Sequence, residues 1–221
     1  MATAFFGDLD PDRTIIQLEN TLGKLPTGSP AELSSPDCAA HGEHNFQLNK
    51  EQAVLAIGYP GVATDDPRRY ALELLDSYCS DMAGPLFTRI REDLGLAYYV
   101  SSSMFLGLDT GLMSFYLGTS PDQLELARNE LTKEIEKLVT IGIPTDALER
   151  VKANTEAREA LRNQNPSNRA RMAALDVLLG QEADNHLHLS EQLNAVTGDE
   201  IHSLAKELFQ DDKSMIVTVS P

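Results

Sequence analysis

Arg91 and Tyr98 stand seven residues apart in the run Leu86-Phe-Thr-Arg-Ile-Arg-Glu-Asp-Leu-Gly-Leu-Ala-Tyr98. A guanidinium and a phenol both donate hydrogen bonds. Aimed at one peptide carbonyl, they would stabilise the oxyanion that develops when that carbonyl is attacked. Neither group supplies a nucleophile, so the pair polarises and orients and does not cleave. Spacing alone favours a plainer reading, with Arg91 in a surface ion pair and Tyr98 filling a sheet face.

Two elements must position the pair. The apolar spacing of Leu86, Phe87, Ile90 and Leu94 predicts a short helix from Pro85 to Leu94, ended by Gly95 in the C′ position, with Arg91 in its last turn. A strand follows, and its alternation puts Tyr98, Val100 and Ser102 on one face and Tyr99, Ser101 and Ser103 on the other.

Before them, residues 3 to 6 read as a strand. Asp10-Pro11 opens a helix to about Leu22, with Ile15, Leu18 and Leu22 on one face. Residues 28–44, rich in proline and serine, read as a linker between a segment 1–27 and a main domain 45–221. Phe46 and Leu48 alternate with polar residues, and Ala53 to Tyr59 is dense enough for a central strand. Asp65-Asp66-Pro67 caps a helix with Tyr70, Leu74, Leu75 and Tyr78 as its stripe.

Beyond the Tyr98 strand, Asp109-Thr110-Gly111 turns Leu96–Leu108 back onto Gly111–Leu117 as a hairpin. Ser120-Pro-Asp-Gln123 reads as a capping box for a helix with Leu124, Ala127, Leu131, Ile135 and Leu138 inward. Helices follow near 145–163, 167–180 and 198–209, the last opened by a Thr197 to Glu200 box, and Met215–Val219 closes the chain as a strand. This order predicts an α+β two-layer sandwich, a mostly antiparallel sheet with helices on one face.

The formal net charge of −16 over 221 residues repels nucleic acid and anionic membrane surfaces, and no Lys/Arg run offsets it. Cys38 and Cys79 have neither a zinc spacing nor the C-x-x-C redox spacing. Apolar runs such as Ala53-Val-Leu-Ala-Ile57 fall far short of the roughly 20 residues that span a bilayer. The first residues show no secretory leader, so either the chain is cytoplasmic or its true N-terminus is missing, which leaves a soluble protein, cytoplasmic or periplasmic. His186, His188 and His202 read as surface histidines, and Lys152, Glu156 and Glu159 as a solvated helix face.

The Leu86–Tyr98 run resembles the signature of the C-terminal half of insulinase-like zinc peptidases, the inverzincins that include pitrilysin and the mitochondrial processing peptidase. The resemblance extends through Tyr59-Pro60, Asp66-Pro-Arg-Arg-Tyr-Ala-Leu-Glu-Leu-Leu75, Asp109-Thr-Gly111, Ile143-Pro-Thr-Asp-Ala-Leu-Glu149 and Val196-Thr-Gly-Asp-Glu-Ile-His202. Phe6-Gly-Asp-Leu-Asp-Pro11 and the helix to Leu22 look like the close of the preceding half.

What the resemblance implies is specific. Arg91 and Tyr98 bind the backbone of an unfolded peptide, and the peptide is cut only together with a zinc-bearing N-terminal half or partner subunit. That half carries H-x-x-E-H. Here His41-Gly-Glu-His44 is one residue short. On a helix that would turn one imidazole by about 100°, so no metal ligand and no catalytic residue are assigned to this chain. A non-catalytic structural or regulatory subunit of the same fold is the rival reading, and an acidic peptide-binding module a third.

Overall fold

The computed structural model describes residues 1–29 and 41–221, so Cys38 and most of the expected linker lie outside the described residues. The chain divides into two compact units, Met1–Ser35 with Arg158–His188, and Pro36–Ala157 with Leu189–Pro221.

The second unit is built on a five-stranded sheet. Its strands are β1 (Gly42–Gln47), β2 (Ala53–Gly61), β3 (Tyr99–Leu106), β4 (Gly111–Thr119) and β5 (Met215–Ser220), in the order β1-β5-β2-β4-β3. Three of its pairings are antiparallel, and β1 runs parallel to β5, so the sheet is mixed. The dense run at Ala53 does form the central strand. β1 opens at Gly42, inside the stretch read as linker, because its pairing partner comes from the far end of the chain.

Alternation decides which face is buried. Ala53, Leu55, Ile57 and Tyr59 of β2, and Met113, Phe115 and Leu117 of β4, are buried, while Val54, Ala56, Gly58, Ser114 and Tyr116 between them are half-exposed. Against the buried face pack α2 (Arg69–Ser80), α3 (Leu124–Thr140) and α7 (Gly198–Leu208). The expected inward positions of α3, Ala127, Leu131, Ile135 and Leu138, are all buried. α2 buries more than its predicted stripe, adding Ala71, Leu72 and Cys79, while Tyr70 and Tyr78 are only half-buried. Tyr59, Phe115 and Phe209 form an aromatic cluster with centroids 5.0–6.3 Å apart. Burial, with smaller effects of Asp211 and Glu136, pushes the Tyr59 phenol up to about 12.

Two capping expectations part ways. At α7 the box is complete, with Thr197 Oγ1 accepting from the Glu200 amide and Glu200 Oε2 accepting from the Thr197 amide. Ser120–Gln123 is no capping box. A single 3₁₀ turn over Pro121–Gln123 precedes α3, and Ser120 Oγ donates to the Gln123 side chain at 3.3 Å.

In the first unit, Asp10 caps α1 (Pro11–Thr21) by accepting from the amides of Asp12 and Arg13. No residue of α1 is buried, and Ile15 and Ile16 stay more than half exposed, so its apolar face does not form part of the core. Residues 3 to 6 form no strand; Phe5 and Phe6 are exposed, and Phe6 lies under Arg169 of α5 (Pro166–Leu178). α4 (Thr145–Arg162) contributes residues to both units, and α6 (Leu189–Ala195), which the sequence reading did not predict, belongs to the second.

Candidate functional site

The expected helix after Pro85 forms over Leu86–Asp93, but wound as a π-helix. The wider winding continues at its end, where the Leu94 amide donates to Arg89 O, five residues back, at 3.2 Å. Leu86 and Ile90 are fully buried, and Phe87 and Leu94 half-buried. Gly84, just before it, admits no side chain, since a Cβ there would lie 2.2 Å from Tyr78 O. Gly95 takes φ +62°, the left-handed conformation that suits glycine after a helix end.

Beyond Gly95 the chain is pinned from β4. Thr119, fully buried, donates from Oγ1 to Leu96 O at 2.6 Å, and the Tyr98 amide donates to Gly118 O at 2.8 Å. β3 begins only at Tyr99, so Tyr98 stands outside the strand and is exposed rather than sharing the face of Val100 and Ser102, while the residues after it alternate as expected. Val100 and Ser102 are buried, Ser102 donating to Asp76 Oδ1 at 2.6 Å, and Tyr99 and Ser103 face outward.

Both predicted residues stand at the surface. Tyr98 is 56% exposed, and the Arg91 side chain 44%. The nearest carboxylate to Arg91 is its neighbour Glu92, at 3.9 Å, the outer limit of an ion pair. Its guanidinium instead lies over the Phe87 ring, 4.9 Å from the centroid. No hydrogen bond or ring contact joins Arg91 to Tyr98. They sit at the two ends of one turn, each open to an incoming group.

The H-x-E-H cluster does not assemble. Glu43 lies in β1 and is gripped by both terminal nitrogens of Arg128, at 2.9 and 2.8 Å, which holds its carboxyl below the usual range. Successive strand residues face opposite sides, so Glu43 and His44 point apart. Among the described residues no three His, Cys, Asp or Glu are grouped to hold a metal ion, so the residues present do not fit a zinc site.

His186 is not a surface residue. It is buried in the first unit, with both its amide and Nδ1 on Asp176 Oδ2, at 2.9 and 2.7 Å. The pair ties the turn Asn185–His188 to α5, and its partners, ten residues apart, show no periodic signal in the sequence. His202 places Nε2 2.8 Å from Val139 O. Lys152 and Glu159 are half-buried and paired rather than simply solvated, with Asn194 O and Arg162 respectively.

Fold and site together define an α+β domain that presents hydrogen-bond donors at its surface and, among the described residues, no cluster of metal ligands. The chain belongs to the family described as the peptidase M16 inactive domain, whose profile matches residues 1–155. It is 31% identical over 176 residues to the Bacillus subtilis protein named uncharacterized zinc protease YmxG, covering 77% of this chain and 42% of that one. An uncharacterized zinc protease of Rickettsia bellii is 32% identical over 159 residues, covering 70% of this chain and 37% of the relative.

Among solved structures, a protease from Helicobacter pylori superposes with TM-score 0.87 at 18% identity, over 98% of this chain and 54% of that one. A peptidase M16 inactive domain from Pseudomonas fluorescens gives 0.82 at 19%, over 97% and 52%. The chain thus spans less than half the length of these curated relatives. Among the described residues, no helix is long and apolar enough to cross a membrane.

Proposed function

We propose that this chain is the substrate-binding, zinc-free half of a zinc metalloendopeptidase of the insulinase type. In this reading residues 1–27 close the preceding half-domain, 28–44 connect, and 45–221 form the C-terminal half-domain. The zinc and the water-activating base belong to a partner half, supplied by the same polypeptide or a separate subunit. The observation that carries the reading is the exposed pair: Arg91 and Tyr98 project donors to solvent at either end of a turn fixed by Gly95, Thr119 and Gly118.

Their role is to orient. Arg91 and Tyr98 donate to backbone carbonyls of an unfolded peptide and hold the scissile carbonyl still, lowering the entropy lost on reaching the transition state. Backbone recognition of this kind reads shape and extension rather than a side-chain sequence.

The test is peptide cleavage by the complete two-half protein. Arg91→Ala is expected to lower kcat/KM roughly tenfold to hundredfold, the size of a lost charge-assisted hydrogen bond, with an unchanged unfolding midpoint. Tyr98→Phe should show a smaller loss of the same kind. Wild-type rates in both variants would overturn the assignment.

A further inference from the structure

The π-helix carries two arginines that are held in opposite ways. Arg89 stands 3.8 Å from both Asp93 and Glu130, so its charge faces carboxylates. Arg91, two residues on, lies with its guanidinium carbon 4.9 Å from the centroid of the Phe87 ring. Elsewhere in the second unit Arg68 donates to both Asp66 and Glu207, and Arg128 grips Glu43 with two nitrogens, while Arg69, over the Tyr70 ring, spends its donors on Thr64 O and the Tyr70 hydroxyl.

The difference matters chemically. A carboxylate engages the N–H edge of a guanidinium and consumes its donors, whereas an aromatic ring holds the charge from its face and leaves N–H groups free for a carbonyl. Phe87 is itself half-buried between the fully buried Leu86 and Ile90. Leu86 and Ile90, both in the core, anchor the backbone that carries it. Hydrogen bonds that span five residues widen the turn, and residues four apart then come close to overlying one another.

We propose that Phe87 is the positioning residue for Arg91: its ring face holds the guanidinium in place while leaving the donors open for a substrate carbonyl. This rests on the reading of Arg91 as a substrate-binding residue. It makes the π-helix part of the device, since the winding sets how Arg91 stacks over Phe87.

Phe87→Leu keeps an apolar side chain of similar volume and removes the ring face; Phe87→Tyr keeps the face. In the complete protein, Phe87→Leu is expected to lower kcat/KM roughly twofold to fivefold, the range of an exposed cation–π contact, with an unchanged unfolding midpoint. Phe87→Tyr should stay near wild type. On an Arg91→Ala background, Phe87→Leu should cost nothing more. In the 221-residue chain, NMR should show a ring-current shift of the Arg91 side-chain signals that Phe87→Leu abolishes.

A wild-type rate for Phe87→Leu beside an impaired Arg91→Ala would overturn the role of Phe87 alone. So would a Phe87→Leu loss that persists without Arg91, or the absence of the ring-current shift. A wild-type rate for Arg91→Ala, with the shift present, would instead overturn the substrate role of Arg91, and the functional weight of Phe87 with it.

Discussion

The ring of Tyr99 lies against Gly118, its cross-strand partner, so closely that a Cβ on Gly118 would stand 2.3 Å from Tyr99 Cε1. The same glycine accepts the Tyr98 amide hydrogen bond at 2.8 Å. One residue without a side chain thus seats one tyrosine and anchors the backbone of the other. Gly118→Ala should push the exposed end of the Tyr99 ring off its rotamer and destabilise the fold by about 0.5–1.5 kcal/mol. Denaturant unfolding checks this, with Tyr99→Ser as the second arm. On that background Gly118→Ala should cost close to nothing, and equal cost on both backgrounds would refute the contact as the cause.

Thr119 is the other anchor. Its buried hydroxyl donates to Leu96 O at 2.6 Å, bridging β4 and the turn that leads to Tyr98. Thr119→Val keeps the shape and removes the donor, leaving a carbonyl without its partner. The expected cost is about 1–3 kcal/mol, seen as a lower urea midpoint with an unchanged m value. Cleavage by the complete protein should fall with it, because the turn loses its register. Full stability in the variant would show that Leu96 O finds another donor at no cost.

Most local signals were legible in the sequence, the Ser120–Gln123 box excepted, and long-range pairings were not. Gly95 and the Thr197–Glu200 box are short-range chemistry, readable from residue type and spacing, and each forms as expected. The central placing of Ala53–Tyr59 follows from an unbroken apolar run. By contrast, β1 pairs in parallel with β5 from the opposite end of the chain, and Asp176 meets His186 across a turn. Neither leaves a periodic trace.

The misreadings have the same origin. Residues 3 to 6 have strand composition, but a strand needs a pairing edge, and none meets them among the described residues. Nor does composition distinguish a π-helix from an α-helix: Leu86, Phe87, Ile90 and Leu94 fit either winding over so short a span. The surroundings of Arg91 were hidden for that reason. The residue could be named from the sequence, but its stacking on Phe87 could not.

Cys79 offers a probe of opening. It is 1% exposed, and burial, reinforced by Asp76 and Glu134, raises its thiol well above the ordinary range. In a Cys38→Ser background, iodoacetamide at pH 8 should leave the native protein unmodified on a timescale that fully labels it in guanidinium. The residual native rate should track global stability across the Gly118 and Thr119 variants, since the thiol sits in the core with Leu75 and Leu86. Fast labelling of the native chain would mean that α2 opens locally without unfolding the sheet.

Glu43 predicts a pH dependence confined to one edge of the sheet. Every residue of β1 is exposed, so the strand is held by its ladder with β5 and by the Arg128 grip on Glu43. The hydrogen bonds from Arg128, the leading cause, depress the Glu43 carboxyl below its ordinary value of 4.5. A depressed folded value means that the contribution is present above the unfolded value and is lost as pH falls through the folded one. Amide exchange protection of the β1–β5 ladder, corrected for intrinsic rates, should therefore weaken below about pH 4.5 more steeply than that of β2–β4. In Arg128→Gln this extra acid sensitivity should vanish and β1 protection should already be lower at pH 6. If wild type and variant lose β1 protection in parallel as pH falls, Glu43 is not what holds the strand.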